Sequence, residues 1–206
     1  MRKFATYALS LALCACGGTK VIDLDDKSEV AGMTNVMELE YRDWTNTAGN
    51  MVGSMLKSGA FVRVKDPVIA MGPMINDTMQ RFDTDVLTKK IRSDLVNSGR
   101  AQVATSFQNK NTGTEDDTTH QMRELRGNIE YAASTIAGTG TLVAPNMSLS
   151  GKMLQRNLKL ETCWLCSGKE RVEYYLQLTL TDLKTGLSVW EDEQPILKEG
   201  KQAPRW

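Results

Sequence analysis

Residues 172–181 alternate between apolar and polar or amphipathic side chains over ten positions. Successive side chains of a strand point to opposite faces of a sheet, so this pattern predicts a long strand with one face buried. A single strand has nothing to bury that face against, and the chain therefore has to fold around a sheet with a covering layer. The apolar members of the row are Val172, Tyr174, Leu176, Leu178 and Leu180.

Further strands are predicted from shorter runs. Two segments alternate, and one is a short continuous apolar run that is typical of a strand covered on both faces. Residues 181–186 have turn chemistry and lead into a returning strand. The predicted strands are 36–41, 68–71, 102–107, 147–154 and 187–191.

Two amphipathic helices are predicted between these strands. Asp43 caps the first, and Gly59 ends it. Asp83 or Thr84 caps the second, and Gly99 follows its last turn. The apolar stripes consist of Trp44, Ala48, Met51, Val52 and Met55 in the first helix and of Val86, Leu87, Ile91 and Leu95 in the second.

The order of elements predicts the fold class. The first part of the chain has the order β-α-β-α-β, a weaker helix is predicted over 118–131, and the C-terminal part is rich in strands. The length of 206 residues and a hydrophobic fraction of 41% are enough for one domain of good size. We therefore predict a single α/β domain in which helices pack on a sheet.

The N-terminus has the parts of a bacterial export signal. Two basic residues precede an apolar run over 4–13, and small residues follow. The run ends like a lipobox, with Leu13 three residues before the cleavage point, Ala15 just before it and Cys16 just after it. We predict cleavage after Ala15 and a diacylglycerol thioether on the Cys16 thiol. An ordinary cleaved signal with two incidental cysteines is the alternative.

The chain is therefore expected to have three parts. They are a lipoprotein signal peptide over 1–15, a lipidated N-terminus with a flexible tether over 16–35, and a globular domain over 36–206. Residues 17–35 are polar and acidic without periodicity, which is typical of a tether. Gly17, rather than Asp, follows the lipidated cysteine. This residue indicates an anchor in the outer of two membranes.

Charge and motifs disfavour several function classes. Lys and Arg number 25 and Asp and Glu number 25, whereas a nucleic-acid binder needs a clustered basic excess. No phosphate-binding loop of the Walker type is present, and Gly138 and Gly140 lack the third glycine of a dinucleotide fingerprint. His120, the only histidine, is expected to be solvated in a polar loop. We predict no enzymatic activity, no cofactor, no small-molecule substrate and no nucleic-acid partner.

Cys163 and Cys166 form a C-x-x-C pair between two predicted strands. A redox pair normally has its first cysteine at a helix N-terminus, and zinc would need two more ligands that this chain can hardly supply. A disulfide that closes a loop of an exported protein is the plainest interpretation. Free thiols and a redox or metal role stay open as alternatives.

Four blocks of the sequence resemble the LpoB family of outer-membrane lipoproteins, which activate penicillin-binding proteins. The resemblance covers roughly residues 36–198. The blocks are MELEYRDW at 37–44 with MVGSML at 51–56, NDTMQ at 76–80 with DTDVLTKKIR at 83–92 and NSG at 97–99, LSGKMLQR at 149–156, and YYLQLTLTDL at 174–183.

The resemblance implies a mixed β-sheet flanked by helices, similar to the N-terminal domain of TolB. It implies a non-enzymatic regulator in the periplasm that binds and activates a class A, bifunctional penicillin-binding protein. The predicted tether is shorter than that of enterobacterial members and contains no proline before Pro67. The alternative function is that of an envelope assembly or secretion lipoprotein related to the curli-export component, which would form a ring.

The disulfide can be tested by mass spectrometry of the unreduced, digested protein. We expect a peptide that contains Cys163 and Cys166 and is lighter than its reduced form by a pair of hydrogens, because export exposes both thiols to an oxidising compartment. Alkylation of both thiols without prior reduction would contradict the disulfide.

Overall fold

A computed structural model describes residues 38–107, 117–159 and 169–201. The described part contains three α-helices and five strands, with short 3₁₀ turns at Ala60–Arg63 and Ala133–Thr135. In chain order the main elements are α1 (Tyr41–Lys57), β1 (Val68–Asp77), α2 (Thr84–Asn97), β2 (Gln102–Val103), α3 (Thr118–Glu124), β3 (Met147–Lys159), β4 (Lys169–Asp182) and β5 (Ser188–Lys201).

The five strands form one sheet in the order β2-β1-β3-β4-β5. β1 runs parallel to both β2 and β3, whereas β3–β4 and β4–β5 are antiparallel. The parallel pairs are joined through α2 and through the long segment that contains α3, and the antiparallel pairs are consecutive strands. The prediction of a single α/β domain with a mixed sheet is confirmed.

β4 lies between β3 and β5 and its alternating row faces the core. Leu149 lies opposite Leu180, and Met153 lies opposite Leu176, so that fully buried side chains meet across the β3–β4 pair. All five apolar residues of the row predicted at 172–181 are buried. The sequence pattern thus identified the inner face of the sheet correctly.

Helices α1 and α2 cover this inner face. The five predicted core residues of α1 are buried, and Leu87, Ile91 and Leu95 of α2 join the same apolar cluster as the inner residues of β3 and β4. Val86 is 42% exposed, so its assignment to the core was wrong. Residues 87, 91 and 95 lie above one another at helical spacing, and the preceding residue is turned about 100° away from them.

The segment before α1 differs from its prediction. Residues 38–40 are not a strand, and the helix already begins at Tyr41. The Leu39 N–H donates to Gln80 Oε1 at 2.7 Å, and Gln80 Nε2 donates to the Leu39 carbonyl at 2.9 Å. The Gln80 side chain therefore satisfies the N–H and the carbonyl of Leu39, the groups that would otherwise hydrogen-bond to a neighbouring strand. Residues 36 and 37 lie outside the described residues.

Asp43 contributes to the start of α1 from inside the helix. Glu40 is the N-cap residue, and its backbone N–H donates to Asp43 Oδ2 at 3.0 Å in a capping box. The Lys198 ammonium forms an ion pair with the same carboxylate. The Lys198 side chain is only 10% exposed, so the pair joins β5 to the first turn of α1 in partly water-excluded surroundings.

Several predicted boundaries changed. β2 has two residues instead of six, and α3 ends at Glu124, shortly before Gly127 at φ 88°. β1 continues to Asp77 past an irregularity between Met71 and Met74, and β5 is longer than predicted. The second helix is capped by Asp83, whose side chain accepts the Asp85 N–H at 2.8 Å.

Three turn predictions were correct. Gly59 has φ 76° after the last turn of α1, and Gly99 has φ 66° after α2. In the β4–β5 turn, Asp182 Oδ1 accepts the Lys184 N–H at 2.7 Å, and Gly186 has φ 72°.

Gly151 permits the closest approach in the sheet. A Cβ placed there would lie 2.6 Å from Leu178 Cδ2, 2.7 Å from Met74 Sδ and 2.8 Å from the Gln177 carbonyl oxygen. The β1–β3–β4 packing therefore depends on a residue without a side chain at this position. A Cβ at Gly53 in α1, in contrast, would have no neighbouring atom within 4 Å.

The Gly151→Ala substitution is expected to lower the free energy of unfolding by about 1–3 kcal/mol, because a backbone carbonyl has to move to admit the methyl group. The matched control, Gly53→Ala, should raise it by about 0.5–1 kcal/mol, since alanine favours a helix where space is open. Urea unfolding followed by circular dichroism measures both. Equal effects of the two variants would contradict the packing argument.

Candidate functional site

The cysteines predicted to carry chemistry lie outside the described residues. Cys16, Cys163 and Cys166 are in the parts of the chain that the structure leaves undescribed. Lipidation of Cys16 and the disulfide therefore stay predictions, and the candidate site has to be built from other residues.

His120 lies in α3, inside the helix that was predicted over 118–131, whereas its expected place in a polar loop was wrong. The Asp117 carbonyl accepts the backbone N–H groups of His120 and Gln121 at 2.9 and 3.0 Å, and these bonds start the helix. The helix turns the imidazole inward, where Nε2 lies 2.7 Å from the Ser106 carbonyl oxygen. The ring is half-buried and is held by a backbone group of the segment after β2.

A cavity of about 720 Å³ opens beside this histidine, and we call it the α3 groove. It lies between α3, residues 106–107 after β2 and the segment that leads into β3. Its lining residues are Ser106, Phe107, Asp117, His120, Glu124, Leu142, Val143, Ala144 and Pro145.

The walls of the α3 groove combine exposed apolar side chains with carboxylates. Phe107 is 53% exposed, Leu142 45% and Val143 66%. Asp117 and Glu124 lie three residues before and four residues after His120, so one face of the helix presents all three. The imidazole is bonded to a carbonyl oxygen, an arrangement that orients the ring but supplies no nucleophile.

The segment after α3 is held by two arginines, and we call residues 125–145 the arginine-held loop. The Arg126 guanidinium donates to the Ala137 carbonyl through Nε at 2.9 Å and through Nη2 at 2.7 Å, and to the Gly138 carbonyl at 2.6 Å. Arg123 Nη1 donates to Thr141 Oγ1 at 3.1 Å. These bonds cross the loop and give it a defined shape without a sheet or a long helix.

The same loop presents apolar side chains to water. Ile129 is fully exposed and Tyr131 is 49% exposed, beside a second cavity of about 390 Å³ that Ile136 also lines. Exposed apolar side chains concentrated on one element, rather than scattered singly, mark interaction surfaces. The α3 groove and the arginine-held loop together form the candidate interaction surface.

The outer face of the sheet has a different character. Lys152 Nζ lies 2.6 Å from Asp77 Oδ2, and Arg171 Nη2 lies 2.9 Å from Glu199 Oε2 across neighbouring strands. These polar side chains pair with one another along the described strands. These charged side chains are thus paired with one another, whereas Asp117 of the α3 groove accepts a hydrogen bond from the neutral Gln121 amide.

Tyr175 on this outer face shows the same self-pairing. Its hydroxyl donates to Glu173 Oε2 at 2.6 Å, and this hydrogen bond raises the pKa of the Tyr175 hydroxyl above its usual value. The carboxylate accepts the phenolic proton, so ionisation of the phenol would lose the bond and place two negative charges together. On the inner face, burial raises the pKa of Tyr174.

Neither a metal cluster nor a membrane-spanning helix occurs in the described ranges. They hold no group of three or more His, Cys, Asp or Glu side chains placed to bind a metal ion. None of the helices in those ranges is both long enough and apolar enough to cross a lipid bilayer.

Sequence reasoning missed the apolar walls of the candidate surface. The predicted strands and helices give no role to Leu142 and Val143, which lie between Gly140 and Pro145 shortly before the strand that begins at Met147. An adjacent leucine and valine between these turn-forming residues are the signal that could have identified them. Their proximity to Phe107 depends on the fold, because 35 residues separate Phe107 from Leu142 in the chain.

Comparisons with known proteins show a family match. The family model described as peptidoglycan-synthase activator LpoB matches residues 43–196. The LpoB C-terminal domain from Salmonella enterica is 16% identical, with 75% of this chain and 98% of that chain covered and a TM-score of 0.44. LpoB from E. coli, determined by NMR, is 14% identical, with 95% of this chain and 84% of that chain covered and a TM-score of 0.44. No curated protein sequence matches the chain.

Arg126→Lys is expected to loosen the arginine-held loop, because an ammonium cannot hold two carbonyls with the fixed fork of a guanidinium. Amide hydrogen exchange should accelerate within residues 133–141, while the free energy of global unfolding changes by less than about 0.5 kcal/mol. Arg81→Lys, on an exposed side chain before α2, is the control. Unchanged exchange in the loop would show that Arg126 does not hold it.

Proposed function

Because the chain belongs to the LpoB family of peptidoglycan-synthase activators, we propose that it binds and activates a class A, bifunctional penicillin-binding protein. The observation that carries this proposal is the family match over residues 43–196, which extends from the first turn of α1 into β5. The match includes every element of the described fold between these positions, so it supports a function of the whole domain and not of one motif.

The proposed activation needs no chemistry from this chain. A regulator raises the activity of a synthase when it binds the active conformation more tightly than the inactive one. A coupling free energy of about 1–3 kcal/mol changes such an equilibrium about 5–150-fold. In this proposal the lipoprotein is not an enzyme, and His120 has a structural role through its bond to the Ser106 carbonyl.

The proposed location follows from the N-terminal sequence. Cleavage of residues 1–15 would leave Cys16 as a lipidated first residue in the outer membrane, with residues 17–35 as a tether and the domain over 36–206 facing the periplasm. Fully extended, the tether spans about 60 Å. A disulfide between Cys163 and Cys166 is part of the same proposal, since the periplasm is oxidising.

Reconstitution tests the proposed activity. The full-length chain in detergent, added to a purified class A penicillin-binding protein from the same envelope, should increase the rate of glycan polymerisation and of peptide cross-linking about fivefold or more. The heat-denatured chain is the control for detergent and lipid effects. No stimulation together with no binding would overturn the proposal, and a large ring in size measurements would favour the assembly or secretion alternative.

Cys16→Ser separates anchoring from activation. The variant should stimulate the synthase in detergent as the wild type does, because the domain makes the contact. In cells it should leave the outer-membrane fraction, since no thiol remains to carry the lipid. Retention of the Cys16→Ser variant in that fraction would contradict the proposed anchor.

A further inference from the structure

We propose that the α3 groove is where the synthase docks, and that it takes a segment of that partner with a cationic side chain beside an apolar one. The inference rests on the proposed function and adds the contact surface and the chemistry of the partner. Four features of the molecule support it: the apolar walls of the groove, its charge, its rigidity and the acidic tether of this chain, which does not complement it.

The apolar walls provide the first support. Phe107, Leu142 and Val143 together expose apolar surface around one cavity. Hydration of apolar surface is unfavourable, so a partner that covers these side chains would gain free energy. A cavity of about 720 Å³ can admit one or two side chains of a protein segment. The occupant therefore carries at least one apolar side chain.

The charge of the groove provides the second support for the proposal. Asp117 and Glu124 are exposed on the helix face that lines it, and within the described ranges neither is paired with a basic side chain. Asp117 Oδ2 accepts a hydrogen bond from the neutral Gln121 amide, at 3.1 Å. Two carboxylates beside an apolar wall attract a lysine or arginine and repel an acidic segment. A cationic side chain of the partner is thus the complement of this wall.

The rigidity of the groove provides the third support for the proposal. The His120–Ser106 bond fixes the helix against the segment after β2, and the arginine bonds to Ala137 and Gly138 fix the loop that supplies the other wall. A groove that keeps its shape without a ligand loses less conformational entropy on binding.

The acidic tether of this chain is a poor occupant of the groove. Residues 17–35 carry four acidic side chains, Asp23, Asp25, Asp26 and Glu29, against two lysines. Their net negative charge would meet the carboxylates of Asp117 and Glu124 with repulsion. The N-terminal segment of the same chain therefore does not complement this surface.

Binding measurements with full-length chains in detergent test the inference, with the purified class A penicillin-binding protein as the probe. The double variant Asp117→Asn, Glu124→Gln should bind the synthase about tenfold more weakly at low salt, and its affinity should depend less on salt than that of the wild type. Val143→Ser should weaken binding about fivefold, because it removes an apolar contact at the wall.

Matched controls lie on other surfaces. Asp66→Asn with Glu191→Gln removes the same charge from exposed positions, and asparagine suits φ 50° at residue 66. Val62→Ser alters a valine that is 88% exposed in the turn after α1. These variants should bind like the wild type, and thermal unfolding should show that all of the variants fold.

The outcomes separate this inference from the proposed function. If the groove variants bind the synthase as tightly as the wild type does, the groove is not the docking site. The proposed function would stand in that case. Absence of wild-type binding would overturn both. A change of oligomeric state in the groove variants, with synthase binding unaltered, would show that the groove takes a second copy of this chain and would also overturn the inference.

Discussion

Lys198 and Asp43 form the ion pair that joins the last strand to the first helix. The lysine side chain is 10% exposed and the aspartate 25%, so either charge alone would be left poorly solvated. The same carboxylate accepts the Glu40 N–H, and one side chain therefore fixes both the start of α1 and its position on β5. Once α1 is placed in this way, its apolar stripe lies on the inner face of β4, where Tyr174 and its neighbours are buried.

The two faces of the sheet therefore differ in chemical character. The inner face is covered by α1 and α2, and the outer face carries charged side chains that pair with one another. β5 is the edge strand opposite β2, and it contains Pro195 as well as the inward-facing charge of Lys198. Such residues protect an edge against pairing with other chains. The sheet thus supports the described residues between β2 and β3, which present exposed apolar side chains around the α3 groove.

That connection has a physical character that suits a regulator. Its described residues contribute exposed apolar side chains and two carboxylates, and guanidinium bonds to the carbonyls of Ala137 and Gly138 hold the arginine-held loop. An activator has only to bind one conformation of its partner better than another, and a preformed surface does this at low entropic cost. The proposed lipid anchor at Cys16 would add a high local concentration at the envelope.

The sequence by itself determined the inner face of the sheet, the stripe of α1, the stripe of α2 except Val86, and the turns at Gly59, Gly99 and Gly186. These features depend on local periodicity and on φ values that few residues adopt. Only the tertiary structure decided the rest. Gln80 supplies the hydrogen bonds that make residues 38–40 irregular, and Ser106 turns His120 inward. The α3 groove is formed by parts of the chain that are distant in sequence. Phe107 and Leu142 are 35 positions apart, and no local sequence pattern predicts that they line one cavity.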